Sequence, residues 1–300
     1  MNDIQLYNII PMDSPRAVLD EVIVILDLIS PDFDTAPVTS AFNMTVSLYQ
    51  GRYPGYRSCN TEYHDLHHTI ETFLATARLI HGAVLDGKIF TDRRITLGLI
   101  TAFLHDAGYI QEESDKDGTG AKYTANHVQR SIDFLECHGS ELGLSHDETT
   151  EGRAIILCTD LAVDISTIVF KSAEVELLGK ILGSADLLAQ MADRTYLEKL
   201  LFLYHEFKEA GIRNYLDEVD LLRKTLAFYD FVSQRLKTTL DETDLFMGPH
   251  FTSRWGIHED LYHVAIAKQR DFLKKILEIK DSDPRDHLKR SVVNKIRREY

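Results

Sequence analysis

Cysteine, proline and tryptophan are scarce in this 300-residue chain, which has 3, 7 and 1 of them. Three cysteines, Cys59, Cys137 and Cys158, are an odd number without metal-type spacing, which argues against a disulfide framework. Positive charge is also in deficit. Thirty-three Lys and Arg face 47 Asp and Glu, a net charge of −14. A chain this acidic repels nucleic acid polymers and anionic membranes, so an anionic substrate needs local positive charge, for which a bound metal ion is the obvious source. Long apolar runs are missing; Val22–Leu26 is far short of the ~20 residues a membrane helix needs. Met1 to Pro11 has no basic segment followed by an apolar core, so a cytoplasmic protein without a signal peptide is expected. Histidine, by contrast, is plentiful at 13 residues.

Strand signals are weak and helical periodicity is widespread. Asp13 and Ser14 can cap a helix over Pro15–Ile29, with Pro at its start. Further helices are expected over Val38–Tyr49, Asp65–Leu85, Arg93–His105, Lys122–His138, Asp147–Thr159, Ser172–Met191, Asp193–Ala210, Arg213–Asp241, His258–Ile279 and Asp283–Arg298. The Arg93–His105 segment is apolar nearly all round and should be buried. Gln111–Gly120 and Asp241–Gly256, the latter with Gly248-Pro249, are expected loops. With no repeat and no long linker, the economical architecture is one all-α domain over residues 1–300. Its last helix is locally basic: a solvated face packed on an acidic body, or a tail for a partner.

Three polar clusters interrupt this pattern. In Tyr63-His64-Asp65-Leu66-His67-His68, a helix would place His64 and His68 on one face. Metal or acid–base work and a chance surface pair both fit. His105-Asp106 ends the apolar fourth helix. It is either a solvated pair before a Gly108 cap or a nitrogen and an oxygen ligand for a divalent cation. Asp186 interrupts an apolar run from Leu177 to Leu188, so it is exposed between apolar neighbours or needs a cation.

Taken together, a His, an adjacent His-Asp pair and a distant Asp on predicted helices resemble the HD superfamily of metal-dependent phosphohydrolases. Further segments resemble the class I cyclic nucleotide phosphodiesterases over about residues 60 to 231. Tyr63-His64-Asp65-Leu66-His67-His68 is similar to their YHNxxHA motif, and Asn60 to the Asn that often precedes it. Ile156-Leu157-Cys158-Thr159-Asp160-Leu161 is similar to their LATDM segment. Asn126-His127 and Phe228-Tyr229-Asp230-Phe231 also have counterparts. The resemblance implies an all-α bundle with one or two divalent ions (Mg, Mn, Zn or Fe). Ligands would be His68, His105, Asp106 and Asp186, and His64 the general acid. His127, Thr159 and Asp160 would lie around the ligands or on a second ion. Phe228 would clamp the substrate, and Thr225 stands where the family has a purine-binding Gln. Asp65 replaces the Asn of the first motif. Tyr109 and Ile110 follow Gly108, so the second His of HDxxH is absent. Thr124 lies near the place of a Glu at the second ion. With Thr225 in place of that Gln, the purine grip is missing.

The expected activity is hydrolysis of a phosphodiester or related small phosphate ester by metal-activated water. His64 would protonate the leaving oxygen, with Asp65 or Asp160 orienting its ring. Arg153 and Arg194 either contact phosphate or pair at the surface. His67 is expected near the ligands or in a structural role, and the remaining histidines in structural or surface roles. A phosphomonoesterase, a di-iron oxygenase using His127 and His146, and a non-catalytic metal-binding module are the alternatives.

Overall fold

The computed structural model describes residues 4–290. Eleven α-helices and six short 3-10 helices account for its regular structure, and no strand occurs among the described residues. The all-α expectation therefore holds. The helices are α1 Pro15–Ile29, α2 Ala36–Tyr49, α3 Leu66–Leu85, α4 Asp92–Leu104, α5 His127–His138, α6 His146–Leu157, α7 Ala173–Ala192, α8 Tyr196–Glu209, α9 Glu218–Thr238, α10 Met247–Trp255 and α11 Leu261–Glu278. None of them is long and apolar enough to cross a membrane, among the described residues.

Local chemistry explains most boundaries. Ser14 Oγ accepts from Ala17 N at the start of α1, where Pro15 takes a position that needs no N–H partner. Ser145 and Glu148 form a reciprocal capping box on α6. Asp217 caps α9, which is why that helix starts at Glu218 rather than at Arg213. Lys122 lies in a 3-10 turn, Gly120–Tyr123, and α5 begins only at His127.

Two expectations are corrected. Asp241–Gly256 is not a loop. It contains a 3-10 turn, Thr243–Phe246, and then α10. Pro249 falls in the first turn of α10, where a missing N–H costs nothing, and Met247 and Phe251 are buried in the core. The expected helix Asp283–Arg298 is, in its described part, a 3-10 turn Pro284–His287 followed by non-helical residues; 291–298 lie outside the described residues.

Helix α3 is the central post, packed by α1, α4, α7 and α10. α4 is buried on every side, as its composition requires. Gly82 lets the Thr243–Phe246 turn press onto α3: a Cβ there would stand 1.8 Å from Phe246 O. Buried apolar side chains form two clusters. One surrounds α1 to α7, the other α7, α8, α9 and α11, and α7 contributes to both. Asp186 sits on α7 between Ala185, in the first cluster, and Leu187, in the second.

Candidate metal centre

Four donor atoms from three helices meet at the junction of α3, α4 and α7. His68 projects from the first turn of α3. His105 follows α4, and Asp106 sits in the turn just beyond it. His68 Nε2, His105 Nε2 and Asp106 Oδ2 form a triangle with each side 3.4 Å. Asp186 Oδ1, from α7, completes the group at 3.1 Å from His68 Nε2 and 3.7 Å from His105 Nε2. Donors about 2.1 Å from a tetrahedral metal stand about 3.4 Å apart, so the spacing fits such an ion. His68, His105 and Asp106 are buried and could hold one.

The donor set fits a cation in a second way. Asp106 Oδ2 is buried without a hydrogen-bond partner, a costly state for a carboxylate oxygen. His105 Nδ1 bonds to Ala102 O at 2.8 Å, so in the neutral ring Nδ1 carries the proton and the Nε2 lone pair is directed at the cluster. His105 is held well above its ordinary pKa: burial opposes the charged ring, but Asp106 and Asp186 outweigh it. Asp106 is correspondingly held well below the carboxylate range despite burial, by His105, His64 and His68. The negative potential that draws protons here would equally draw a metal ion.

The structure departs from the helical argument for His64. Asp65 is the cap of α3, its side chain accepting from His68 N at 2.9 Å, so His64 precedes the helix. Its ring nonetheless turns toward the cluster, 6.3 Å from the His68 ring centre. The expected orienting groups, Asp65 and Asp160, do not hold it; Asp160 Oδ1 accepts from Ala162 N instead. Glu206 of α8 does. Its Oε2 is 2.7 Å from His64 Nδ1, and its Oε1 accepts from Glu62 N and Tyr63 N at 2.8 and 2.7 Å. Burial lowers the His64 pKa, but the Glu206 carboxylate more than offsets this and the ring is held above its ordinary value.

Tyr109, three residues after Asp106, is stacked between two histidines. Its ring lies 4.2 Å from His64 and 4.6 Å from His127. His127 Nδ1 bonds to Thr124 O at 2.8 Å, leaving Nε2 3.7 Å from Asp106 Oδ1. Asp106 thus presents one oxygen to the His68–His105 side and the other to His127. Close backbone contact makes this possible. A Cβ on Gly108 would lie 2.0 Å from His127 O, and Ser131 Oγ accepts from Gly108 N at 2.9 Å.

His64, Asp106, His127, Asp186, Thr159 and Asp160 all line one cavity of about 370 Å³. Thr225 and Phe228 line it too, as do Phe207 and Tyr215, whose rings stack 5.5 Å apart. Thr159 and Thr225 each donate to their own helix, to Ile156 O and Leu221 O at 2.9 Å. Gln190 ties Asp186 Oδ1 at 3.3 Å to Tyr63 Oη at 2.9 Å.

Other expected residues lie elsewhere. Arg153 pairs with Glu136, and Arg194 packs over the Tyr7 ring, so neither reaches the cavity. His67 pairs with Glu71 at 3.3 Å beside Asp193, whose charge Lys199 meets at 2.9 Å. His146 is exposed at the start of α6. Glu206 carried no sequence signal, because it looks like an ordinary residue of an amphipathic helix, and the packing of Tyr109 and the bonds of Gln190 could not be read from their neighbours.

The chain matches no protein-family model and no curated protein sequence.

Proposed function

We propose that this protein is a metal-dependent phosphohydrolase of the HD type, acting on a small phosphate ester and most simply a phosphodiester. The observation that carries this is a division of labour within one cavity. A buried His68–His105–Asp106 triangle has an orphaned carboxylate oxygen, while His64 is held apart from it by Glu206.

His68, His105, Asp106 and Asp186 would hold one divalent ion, and Asp106 Oδ1 with His127 offers part of a second site. Such an ion supplies a Lewis acid for a phosphoryl oxygen and lowers the pKa of water. The chain's own residues do the rest. Glu206 stabilises the protonated His64 ring, so its Nε2, 3.4 Å from Tyr109 Oη, can hold a proton for the leaving oxygen. Gln190 steadies Asp186. The aromatic end of the cavity, with Phe207, Tyr215 and Phe228, would receive the organic part of the substrate and exclude water.

The test measures metal content and hydrolysis of cyclic AMP, cyclic GMP, 5′-nucleotides and bis-p-nitrophenyl phosphate, with Mg²⁺, Mn²⁺ or no metal. The expected result is metal-dependent turnover of at least one ester. Asp186→Asn should lose both metal and activity, and His64→Ala should lose activity but keep metal. Failure to bind any divalent ion overturns the proposal. So does turnover that survives both substitutions.

A further inference from the structure

A second cavity, of about 480 Å³, lies between α7, α9 and α11. Its apolar wall includes Leu188 and Met191 of α7, Val232 and Leu236 of α9, and Ile266 of α11. Two further lining residues carry buried donors without partners among the described residues: Tyr229 Oη and Arg270 Nε. Tyr229 is only 4% exposed. An unmet hydroxyl in such a place is unfavourable, and a ligand's acceptor would satisfy it. The phenol stays a donor because burial raises its pKa. Among the described residues Arg270 engages one surface carboxylate, through Nη2 to Asp230 at 2.7 Å, which leaves most of its fork available.

The other charges around this cavity are balanced. Lys237 and Lys274 line it together with Glu242 and Asp271. Asp244, whose Oδ1 is a buried acceptor without a partner, is met by His263 at 3.1 Å. His263 is seven residues before Arg270 on α11, roughly 10 Å along the helix. The Asp244–His263 pair therefore lies away from Arg270, where Asp271 and Lys274 also line the wall and the two donors without partners are a guanidinium and a phenol.

We propose that this cavity is a binding site for a small amphipathic carboxylate, its head held by Arg270 and Tyr229 and its apolar body laid along α7 and α9. A guanidinium fork and a hydroxyl donor match a carboxylate's two oxygens. The site adjoins the first cavity through shared walls. Leu187, next to Asp186, lines both, and Tyr229 packs edge-on against Tyr196, which lines the first, at 6.1 Å.

Isothermal titration of the full chain with decanoate, decanol and decylamine tests the site without any assay of hydrolysis. Decanoate should bind, and decylamine should give no saturable signal. Arg270→Gln should weaken decanoate by about tenfold, the value of a charge-assisted bond. Tyr229→Phe should weaken it less, and Leu236→Trp, which fills the cavity, should abolish it. Melting curves identify any variant that fails to fold; the part-exposed Arg270→Gln then carries the decision. No saturable decanoate binding, equal binding of decylamine, or indifference to Arg270→Gln overturns the proposal.

Discussion

Glu206 Oε2 stands 2.7 Å from His64 Nδ1, while the other oxygen of the same carboxylate is fixed by two backbone N–H groups. The imidazole is thereby held in one orientation and in one tautomer, with Nε2 facing the cavity. If His64 is the proton donor to a leaving group, Glu206→Gln should lower kcat by about 10²-fold, the scale of general-acid catalysis, and leave metal content unchanged. The direction of the pH effect also follows. Glu206 raises the His64 pKa, and an acid must be protonated to act. Removing the carboxylate should move the alkaline limb of the rate profile to lower pH. A pH–rate profile of both proteins with an unchanged alkaline limb would reject the role.

Arg130 clamps the turn that carries Asp106. Its Nε donates to Gly108 O at 2.8 Å, its Nη2 to Ile110 O at 3.0 Å, and its guanidinium lies 3.7 Å over the Tyr123 ring. None of these contacts is to a ligand atom, yet together they fix the backbone on which Asp106 rides. Outer interactions of this kind are worth about 10–100-fold in metal affinity. Arg130→Leu should therefore weaken Co²⁺ or Zn²⁺ binding by about that factor, measured by chelator competition. Affinity equal to wild type would show that the turn needs no clamp.

A bound divalent ion should stabilise the fold, because ligands brought together from α3, α4 and α7 are scattered in the unfolded chain. Adding Mn²⁺ to chelator-treated protein should raise Tm in the wild type and not in Asp106→Asn. An equal rise in both would locate the ion elsewhere.

Gly82 has no room for a side chain. Its missing Cβ would meet Phe246 O at 1.8 Å. Gly82→Ala must separate α3 from the Thr243–Phe246 turn, and a loss of about 1–3 kcal/mol is expected from such overpacking. Urea unfolding measures it; a stability within error of wild type would mean that the turn moves freely.

His81 and His250 form a buried pair between α3 and α10, with Nδ1 atoms 2.9 Å apart. One ring must donate and the other accept, so the bond requires a neutral ring. Burial pushes His250 down to about 2, and His81 is lowered as well. In the unfolded chain both take up protons near pH 6.5, whereas the folded chain resists doing so. Stability contributed by the neutral pair is complete above about pH 6.5 and falls as pH drops toward 2, by up to about 1.4 kcal/mol per pH unit for each proton. His250→Asn, which can keep a bond to His81, should flatten the difference between unfolding free energies at pH 7.5 and pH 5.

How far these features were visible beforehand varies by residue. Helix α4 was legible because ten buried neighbours in thirteen positions leave no polar face to misplace. His105-Asp106 stood out because an ionisable pair closes that helix, and Asp186 because a carboxylate breaks an apolar run. His64 was singled out for its type but placed on the wrong element, since Asp65 could equally continue a helix or cap one. α10 was hidden by Gly248-Pro249, whose turn signal applies inside a chain but not in a first helical turn.

The order of residues along the chain was enough for helix content, most caps and the residue types of the candidate metal cluster, because hydrophobic period and side-chain chemistry act over a few neighbours. The approach of remote segments was needed for the rest. Glu206 reaches His64 across 142 positions, Tyr109 finds its place between two rings from different elements, and Tyr229 and Arg270 meet one cavity from two helices. No local pattern encodes those meetings. They follow from how α3, α7, α8, α9 and α11 bury their apolar faces together, which carries these polar groups to places their own neighbours do not specify.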